Sequence, residues 1–582
     1  MANELSLDRY KYQPLISKPS QHAIRLLTLY PAPDPSMLIA CNLTHACLEE
    51  TPDFSALSYT WGITTSPTPI SLSGHPHIVT TNLASALRHL RLPDRARTLW
   101  VDALCIDQTN VKERSEQVSL MREIYDSGGS RKVIVWLGEE GSAQSALDIC
   151  RGALSVFPVP NHVLTEYHEE WQACNDLFID RPWWSRAWIL QEVIHSGEVM
   201  VHIGQLPPLS IDELCDFFKR YRSTLTIRET VLAKSKHIIS SLSQTMVSGI
   251  PSSSPAPSEI WPPPPPQNWN LWLRTGDYAK DPQSSIGDNR LKFKDPLTPT
   301  YQPSLASLLI GFRNQQATDP LDKIYAFLGM AIKEFDIPVD YGLTKRQLYT
   351  HVARALLRKV LLILLWVESP HRSVQRHNEL PSWVPDFTIS QGLVPRSMFA
   401  FQHLFDADKG FPAVNLEPRF AEPKDSETLV IRGIYVATIT GVHDCRITTD
   451  DELLGLDALR LIQYDRNPSS RSLKPNTSPP EGACNCLQPE PHISPPSFKN
   501  TSWGPVVTEI GDIIIVSPGL KIPIVLRKIE DGYLWVGGCW LIDSEIRDLE
   551  NLGEDPAFSP IMFGIACAGL PEDNGAETFR IY

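Results

Sequence analysis

The sequence predicts an α/β protein: an N-terminal domain with a mostly parallel sheet flanked by helices, then a helical region and a small C-terminal β module. Three observations support this prediction. The chain has 582 residues, more than one hydrophobic core usually covers. Strand and helix patterns alternate between about residues 25 and 205, which favours a parallel sheet covered by helices. Strand-like segments separated by turn signals return near the C-terminus.

The first elements of the N-terminal domain follow from short apolar patterns. Phe54–Tyr59 has the composition of a buried strand. Apolar residues recur at helical spacing over Asn82–Leu90, which predicts an amphipathic helix. Leu99–Ile106 predicts a second strand that is apolar on both faces except at Asp102.

A second helix and a third strand follow. Asn110 has the side chain of a helix cap, and Glu113 stands three residues later as its capping-box partner. This helix is expected to end at Gly128-Gly129. The continuous apolar run over Lys132–Gly138 then favours a parallel strand that is covered on both faces.

The last third of this domain contains two more helices and a closing strand. Ser142 begins one helix. Asp180 is predicted to cap a helix over Trp183–Ile194, with Pro182 in the first turn, where a missing N–H matters little. Val199–Gly204 is predicted to be the closing strand.

Composition divides the chain into six segments. Prolines and serines dominate two of them, and such segments cannot contribute to a packed core, so we interpret them as linkers. The C-terminal segment contains two strand patterns, Gly511–Val516 and Tyr533–Leu541, with turn signals at Pro518-Gly519 and Asp531-Gly532. The predicted segments are an α/β domain at 25–205, a helical extension at 206–250, a proline-rich linker at 251–300, a helical or mixed middle domain at 301–466, a second linker at 467–501 and the β module at 502–582.

Charge and composition exclude several classes of function. The net charge is −14, and an acidic surface repels phosphate backbones, so we expect no nucleic-acid partner. The N-terminus lacks the pattern of a secretory signal. The most apolar run, Val360–Val367, is far shorter than the roughly 20 residues of a membrane span. Eleven irregularly spaced cysteines favour reduced thiols. We therefore expect a cytoplasmic protein without a membrane partner.

Polar residues at the ends of the predicted strands are candidates for a ligand pocket. Asp102 interrupts an apolar strand, and a buried carboxylate must be paired, because burying it alone is expensive. Its candidate partners are Arg114, Arg186 and the indole N–H of Trp61. The equally weighted alternative is a polar cluster that only fixes the loop. Two further candidates, Asp107 and Gln108, lie past the strand end, where ligands bind in open parallel α/β sheets.

A carboxylate and an indole stand four residues apart on the predicted tryptophan-rich helix. Trp188 and Glu192 would share one face of it. Such a pair suits a ribosyl-nicotinamide, because the ring can stack while the carboxylate binds ribose hydroxyls or stabilises an oxocarbenium-like transition state. The alternative interpretation packs Trp188 into the core and points Glu192 at Arg186 or solvent.

Three other features do not predict chemistry. Cys105 has no histidine evident in the neighbouring motifs, so we interpret it as a buried, inert thiol. The spacing of Cys484, Cys486 and His492 is not that of a zinc site. No phosphate-loop pattern accompanies the paired glycines at 128 and 129. We expect no metal site.

Several separated motifs resemble the heterokaryon incompatibility (HET) domain of filamentous fungi over about residues 50 to 205. Later segments resemble full-length HET-domain proteins, but Gly538–Glu545 lacks the glycines that usually follow the Gly-x-Cys-aromatic motif. Any function tied to that segment is therefore not expected here. The motifs in the domain are Ala56–Gly62, Leu99–Gln108, Glu113-Arg114, Gln117, Met121, Ile124-Tyr125, Val135–Gly138 and Arg181–Glu192, and those downstream are Thr318–Gly329, Val339–Tyr341, Leu380–Asp386 and Gly511-Asp512.

The resemblance implies a fungal intracellular protein tied to non-self recognition, whose domain triggers programmed cell death. HET domains are in turn distantly similar to TIR domains. Phe54–Tyr59 is similar to the first TIR strand and Ser130–Trp136 to a later one. The spacing of Trp188 and Glu192 matches the Trp-Cys-x-x-Glu segment of TIR domains that cleave NAD, in which the glutamate is catalytic.

Two hypotheses on function follow. In the first, the N-terminal domain binds a nucleotide, with NAD as the candidate substrate, and hydrolyses it. Glu192 would then be catalytic, Trp188 and Tyr59 would shape the pocket, and Asp102 and Arg186 would order the loops. In the second, the same motifs stabilise a non-enzymatic surface that self-associates or docks a protein partner. An inactive paralogue is a third alternative, and the sequence leaves all three open.

Overall fold

The computed structural model forms two compact units. The first unit comprises Met1–Ser254 with Lys280–Leu343, and the second Pro255–Ala279 with Thr344–Tyr582. The domain boundaries set from the sequence stay predictions. The structure describes residues 10–16, 21–62, 67–125, 132–155, 168–194, 196–224, 303–357, 379–389, 419–420, 427–443, 459–466, 501–505, 507–517, 520, 523–541 and 577–582.

A nine-stranded sheet runs through the first unit in the order β5-β4-β2-β1-β6-β3-β7-β8-β9. Strands β6, β3, β7 and β8 are parallel to one another and form the centre of the sheet. The predicted α/β class is thereby confirmed, while the antiparallel pairs on either side of this centre were not predicted. The strands are β1 Ala23–Leu29, β2 Ala40–Cys47, β3 Ser55–Tyr59, β4 Thr68–Leu72, β5 His75–Val79, β6 Arg97–Trp100, β7 Lys132–Trp136, β8 Glu198–His202 and β9 Leu209–Ser210.

Helices of the first unit pack apolar faces into the core. Residues 305–328 form two of them and belong to this unit, although they lie far beyond the sheet in sequence. Short 3-10 helices occur at Leu48–Glu50, Ala153–Ser155 and Pro182–Ser185, and a π-helix at Asp176–Asp180. The α-helices are α1 Thr81–Leu90, α2 Asp102–Cys105, α3 Val111–Ser119, α4 Met121–Tyr125, α5 Ala143–Arg151, α6 His168–Asn175, α7 Ile189–Val193, α8 at residues 211–224, α9 Leu305–Gly311 and α10 Asp322–Leu328.

The predicted strand Leu99–Ile106 is wrong beyond its first two residues. The strand β6 ends at Trp100, and Asp102–Cys105 forms a single helical turn instead. The N–H groups of Leu104 and Cys105 donate to the carbonyl of Val101, and the Asp102 carboxylate accepts the N–H of Ala103 at 2.7 Å. An aspartate at a helix start satisfies N–H groups that would otherwise lack partners, and this favours the turn over the strand.

The predicted continuous helix over Trp183–Ile194 is also wrong. A 3-10 helix at Pro182–Ser185 and the α-helix Ile189–Val193 replace it, with Arg186 in an extended conformation between them. The N-cap position of the 3-10 helix is occupied by Arg181 and not by the predicted Asp180. The break occurs because this stretch of backbone bonds to a distant segment, as described below.

Two predicted details of the helix α3 have different outcomes. The Asn110 side chain accepts the N–H of Glu113 at 3.2 Å, which confirms the predicted cap. The reciprocal half of the capping box is wrong, because the Glu113 carboxylate binds Arg25 and the N–H of Asp107 instead. The predicted stop at Gly128-Gly129 lies outside the described residues.

The second unit contains the predicted C-terminal sheet, extended by strands from residue 419 onward. The hairpin turn between Ile529 and Gly532 confirms the turn predicted at Asp531-Gly532. The other predicted turn, Pro518-Gly519, and the apolar run Val360–Val367 lie outside the described residues. The sheet order is β14-β15-β16-β18-β11-β12-β13-β17, and β14 and β10 also pair with β11. Its elements are α11 Lys345–Leu357, β10 Arg419–Phe420, β11 Leu429–His443, β12 Leu459–Arg466, β13 Thr501–Pro505, β14 Ile513–Val516, β15 Ile524–Ile529, β16 Gly532–Gly538, β17 Trp540–Leu541 and β18 Glu577–Ile581.

Large aromatic side chains fill the core of the first unit. Trp100, Trp136, Trp183 and Trp184 are all at most 2% exposed, and burial of such residues supplies much of the hydrophobic stabilisation of a core. Over the part of the chain that the structure describes, no helix could serve as a membrane span.

Candidate functional site

Glu192 lies inside the first unit with both carboxylate oxygens engaged. The residue Glu192 is 2% exposed. The guanidinium of Arg186 donates to Oε2 at 3.2 Å and to Oε1 at 3.3 Å. The Ser58 hydroxyl also donates to Oε2. The Ser58 oxygen in turn accepts the indole N–H of Trp183 at 2.8 Å. Glu192 is therefore held by a chain of hydrogen bonds that leads back to the strand β3.

A second carboxylate, Asp102, interacts electrostatically with the same guanidinium. Its Oδ2 accepts the indole N–H of Trp61 at 2.7 Å, and the Tyr59 hydroxyl interacts electrostatically with the carboxylate. Arg186 is electrostatically coupled to both Asp102 and Glu192. The structure thus brings together five of the residues singled out in the sequence. They are Tyr59, Trp61, Asp102, Arg186 and Glu192, and together they are called the charged cluster.

The sheet topology explains this convergence. The strands β3 and β6 are parallel neighbours, so Tyr59 at the end of β3 and Asp102 just past β6 reach the same edge. Ligands of open α/β sheets bind beyond the carboxyl ends of parallel strands. The cluster of charged residues therefore occupies the expected position for a ligand.

Burial sets the ionisation of this cluster. It raises the pKa of Glu192 and of Asp102 above their ordinary values, while Arg186 pulls both in the opposite direction. Burial also raises the pKa of Tyr59 well above its ordinary value. For Arg186 burial disfavours the charged form, but the attraction of Glu192 and Asp102 outweighs it and raises the pKa. Shifted pKa values of this kind are more frequent at functional sites than elsewhere.

Comparison with known proteins connects this geometry to a family. Residues 54–192 match the family model described as heterokaryon incompatibility protein (HET). Residues 54–192 are therefore similar to the HET domain, and they are called the HET domain below. The chain is also 26% identical over 434 residues to "Heterokaryon incompatibility protein 6, OR allele" of Neurospora crassa, a match that covers 64% of this chain and 58% of that relative. No solved structure matches the chain significantly.

The family match confirms the predicted resemblance, and the similarity to TIR domains stays a prediction. Both ends of the matched range are informative. It begins at the start of the strand that carries Ser58 and Tyr59, and it ends at Glu192. The matched range of the HET domain therefore includes every member of the charged cluster.

Two candidate residues of the HET domain belong to a different cluster. The Arg114 guanidinium lies 3.6 Å from the centre of the Tyr341 ring and pairs with Asp319 at 2.8 Å. The Trp188 side chain lies near Asp322 and influences the pKa of that carboxyl. Trp188 and Arg114 therefore connect the HET domain to the segment after residue 303, and neither contacts Asp102 in the described structure.

The remaining candidates, Asp107 and Gln108, order the loop that follows the helical turn. The Asp107 carboxylate accepts the N–H and the hydroxyl of Thr109 at 3.1 and 2.7 Å. The Gln108 amide donates to the carbonyl of Asp102 at 2.9 Å. Gln108 thus fixes the backbone beneath Asp102, and Asp107 stabilises its own turn.

Sequence reasoning missed Ser58 and Trp183. Ser58 is fully buried, and 134 residues separate it from Glu192. A serine among the apolar residues of a buried strand was a signal of the same kind as Asp102, because a buried hydroxyl needs a partner. Trp183 gave no such signal, since an indole is equally suited to simple core packing.

Metal and thiol chemistry find no support at this site. In the described ranges no set of three or more His, Cys, Asp or Glu side chains is arranged to hold a metal ion. Cys105 is fully buried, and burial raises the pKa of its thiol to about 12. A thiol with such a pKa is a poor nucleophile near neutral pH.

The cluster is suited to acid–base and carboxylate chemistry. Two carboxylates, Glu192 and Asp102, interact with a single guanidinium, and burial raises the pKa of both while Arg186 lowers it. Such a pair can bind hydroxyl groups, exchange a proton, or stabilise a developing positive charge. A substrate must displace part of the Arg186 pairing to reach Glu192, because the carboxylate has almost no exposed surface.

Proposed function

We propose that this chain acts in heterokaryon incompatibility, as an intracellular effector that links non-self recognition to programmed cell death. The HET domain and the name of the Neurospora crassa relative support this role. Because the match spans 58% of that relative, the role of the whole protein is carried over as a proposal.

The proposed chemistry is the binding of a nucleotide at the charged cluster, with NAD as the candidate substrate, and its hydrolysis. The bond between nicotinamide and the ribose C1′ breaks, and nicotinamide leaves with the electron pair. The Glu192 carboxylate stabilises the positive charge that develops on the ribose. Water then adds to C1′ and releases a proton, so the products are nicotinamide and ADP-ribose.

One observation carries this proposal: Arg186 pairs with Glu192 and interacts electrostatically with Asp102, which lies just past the carboxyl end of the strand β6, parallel to β3. This is the position at which α/β sheets bind ligands. The exposed Trp61, with 43% of its surface accessible, donates to Asp102 and offers a ring face to a flat base. Movement of the Arg186 side chain, which is 16% exposed, would open Glu192 to the ribose.

A second candidate function is a non-enzymatic module that self-associates or docks a protein partner. The observation that favours it is the complete pairing of the Glu192 oxygens by Arg186 and Ser58 in a site with almost no exposure. In that case the cluster orders the loops, and a surface elsewhere in the HET domain makes the contact.

The substitution Glu192→Gln separates the two candidates, because it keeps the size and hydrogen bonding of the side chain and removes its charge. Glu198→Gln is the matched control, since Glu198 pairs with Lys132 at the surface, with 54% of its side chain exposed. The full chain is overexpressed in a filamentous fungus, and cell death and cellular NAD are followed. Purified protein is incubated with NAD in parallel.

Under the enzymatic proposal, Glu192→Gln abolishes both NAD loss and cell death, whereas Glu198→Gln behaves as the unmodified chain. Thermal unfolding must show that both variants are folded. If cell death and NAD loss both survive in Glu192→Gln, the catalytic proposal is wrong. Cell death that persists without any NAD loss, and that follows the formation of oligomers, favours the docking module.

A further inference from the structure

We propose that Gln315 is a positioning residue for Arg186, so that the functional unit of the HET domain includes the segment at residues 312–331, which lies outside the matched range. We call these residues the support segment. The inference concerns the geometry of Arg186, and it rests on the proposed function only where cell death is the readout.

The support segment bonds to the backbone on both sides of Arg186. The N–H of Gln316 donates to the carbonyl of Ser185 at 2.5 Å, and the N–H of Ala187 donates to the carbonyl of Gln316 at 2.9 Å. Together these bonds form a parallel β-bridge between Arg186 and Gln316. The bridge holds the Arg186 backbone in an extended conformation between the 3-10 helix Pro182–Ser185 and the helix α7.

The Gln315 side chain adds two more bonds to the same stretch. Its Nε2 donates to the carbonyl of Trp184 at 2.7 Å and to that of Arg186 at 3.1 Å. These carbonyls belong to the last turn of the 3-10 helix and to the residue that follows it, and buried carbonyl groups need donors. Gln315 is itself 4% exposed. A buried amide whose two donors both reach the backbone around Arg186 is suited to fixing that backbone.

A buried lysine holds the support segment in shape. The ammonium of Lys323 donates to the carbonyl of Arg313 at 2.7 Å and to that of Gln315 at 2.5 Å, and Lys323 is 6% exposed. These bonds therefore stabilise the conformation of the loop that carries Gln315. A buried ammonium is retained only where carbonyls or carboxylates satisfy it.

The support segment also contacts the helix that carries Glu192. On the helix α4, the Arg122 guanidinium donates to the carbonyl of Gly329 at 2.9 Å. A Cβ placed on Gly329 would approach the side-chain amide of Gln191, the residue before Glu192 on the helix α7, to 2.5 Å. The segment is therefore packed against the helices α4 and α7, the second of which carries Glu192.

The test compares Gln315→Leu with Gln316→Leu in the full chain. The Gln316 side chain is exposed, and its substitution keeps the backbone bonds, so it is a matched control. Two measurements are made: the rate at which phenylglyoxal modifies Arg186, mapped by peptide mass spectrometry, and hydrogen exchange at the Ala187 N–H. A loss of about 1.4 kcal/mol in the free energy that stabilises the closed backbone at Arg186 corresponds to a tenfold increase in either rate.

Gln315→Leu is expected to raise both rates at least about tenfold, while Gln316→Leu leaves them within about twofold. Equal rates in the two variants overturn the inference. If Gln315→Leu does not fold, Lys323→Met, which releases the loop that presents Gln315, is measured in the same way and decides between the same two outcomes.

The cell-death assay separates failure of this inference from failure of the proposed function. If Arg186 becomes reactive in Gln315→Leu while cell death is unchanged, the support segment positions Arg186 but the cluster is not the effector site. If Arg186 is unaffected while Glu192→Gln abolishes cell death, the proposed function holds and the positioning role is wrong.

Discussion

The Arg186 guanidinium donates to both carboxylate oxygens of Glu192, at 3.2 and 3.3 Å, although only six residues separate them. On a continuous helix, residues six apart lie about 120° from each other around the axis, because there are 3.6 residues per turn. The pair therefore depends on the helix break at Arg186. The segment that causes the break also determines whether the pair can form.

The first prediction concerns the stability of this ion pair. Arg186→Met leaves the Glu192 carboxylate buried without a cation, which is expected to lower the free energy of unfolding by about 3–5 kcal/mol. The double variant Arg186→Met/Glu192→Gln restores part of the loss, because no unpaired charge remains. Urea unfolding followed by tryptophan fluorescence measures both. A double variant no more stable than Arg186→Met would contradict this prediction.

The same variant has a defined dependence on pH. Burial raises the pKa of Glu192 above its unfolded value, and Arg186 opposes that rise. Without Arg186 the folded state binds the proton more tightly still, so the free energy of unfolding falls as pH rises through the folded pKa. The destabilisation by Arg186→Met is therefore larger at about pH 8 than at about pH 5. An equal loss at both values would show that Glu192 is not the group responsible.

Local patterns in the sequence predicted the elements that local interactions determine. The strand over Phe54–Tyr59 and the cap at Asn110 need no knowledge of distant residues. The interruption of an apolar segment by Asp102 indicates a carboxylate that needs a partner, and Trp61, one of the candidates, donates to it at 2.7 Å. Burial cost is a property of the residue itself, so the need for a partner can be read from sequence alone.

The rest depended on contacts between distant parts of the chain. Gln315 bonds to a carbonyl 131 residues away, and this contact turns the predicted helix over Trp183–Ile194 into two short ones. Trp188 then faces Asp322 instead of sharing a pocket with Glu192. Helical spacing cannot reveal such a break, because propensity and periodicity describe only neighbours within about two turns.

A second prediction concerns Asp322, whose pKa burial raises to about 6 from its ordinary value of 3.8. The hydrogen bonds from Tyr341 and Trp188 and the charge of Arg114 act in the opposite direction, and Asp319 adds to the rise. The folded state holds this proton more tightly than the unfolded state, so stability decreases as pH rises from about 4 to above 6.

Asp322→Asn removes this titration while it keeps an acceptor for the Tyr341 hydroxyl. Between about pH 5 and 7.5 the unmodified chain should lose about 1–2 kcal/mol relative to the variant. Urea unfolding of both proteins at the two pH values measures the difference. Parallel pH profiles for the two proteins would show that Asp322 does not titrate in this range.

A third prediction compares two glutamates on the helix α3. Glu113 forms a buried pair with Arg25, whose side chain is fully buried, and it also accepts the N–H of Asp107. Glu113→Gln leaves the Arg25 charge without its counterion and should lower the free energy of unfolding by about 3–5 kcal/mol. Glu116→Gln is the matched control, because Glu116 pairs with Lys112 at the surface at 3.9 Å.

The control is expected to change stability by at most about 0.5 kcal/mol, since exposed ion pairs contribute little. Adding about 0.5 M sodium chloride should leave the Glu113→Gln effect largely intact, because buried charges are screened much less than exposed ones. Equal effects of the two substitutions would mean that Arg25 finds another counterion when Glu113 is neutral.

The last prediction compares two glycines with positive φ, Gly204 and Gly74. Gly204 has φ +48, and a Cβ at this position would lie 2.5 Å from the backbone nitrogen of Glu140. Gly74 has φ +80 with no atom within 4 Å of such a Cβ. Both substitutions by alanine force a left-handed conformation, which is unfavourable by about 1–2 kcal/mol.

Only Gly204→Ala adds a backbone clash, which should lower stability by about a further 1–3 kcal/mol. The clash lies where the backbone after the strand β8 meets that after β7, since the N–H of Gly204 donates to the carbonyl of Gly138 at 2.9 Å. Thermal and urea unfolding of the two variants give the difference. If Gly74→Ala is as destabilising as Gly204→Ala, strain alone accounts for both losses, and the close approach of the Glu140 backbone does not limit the residue at position 204.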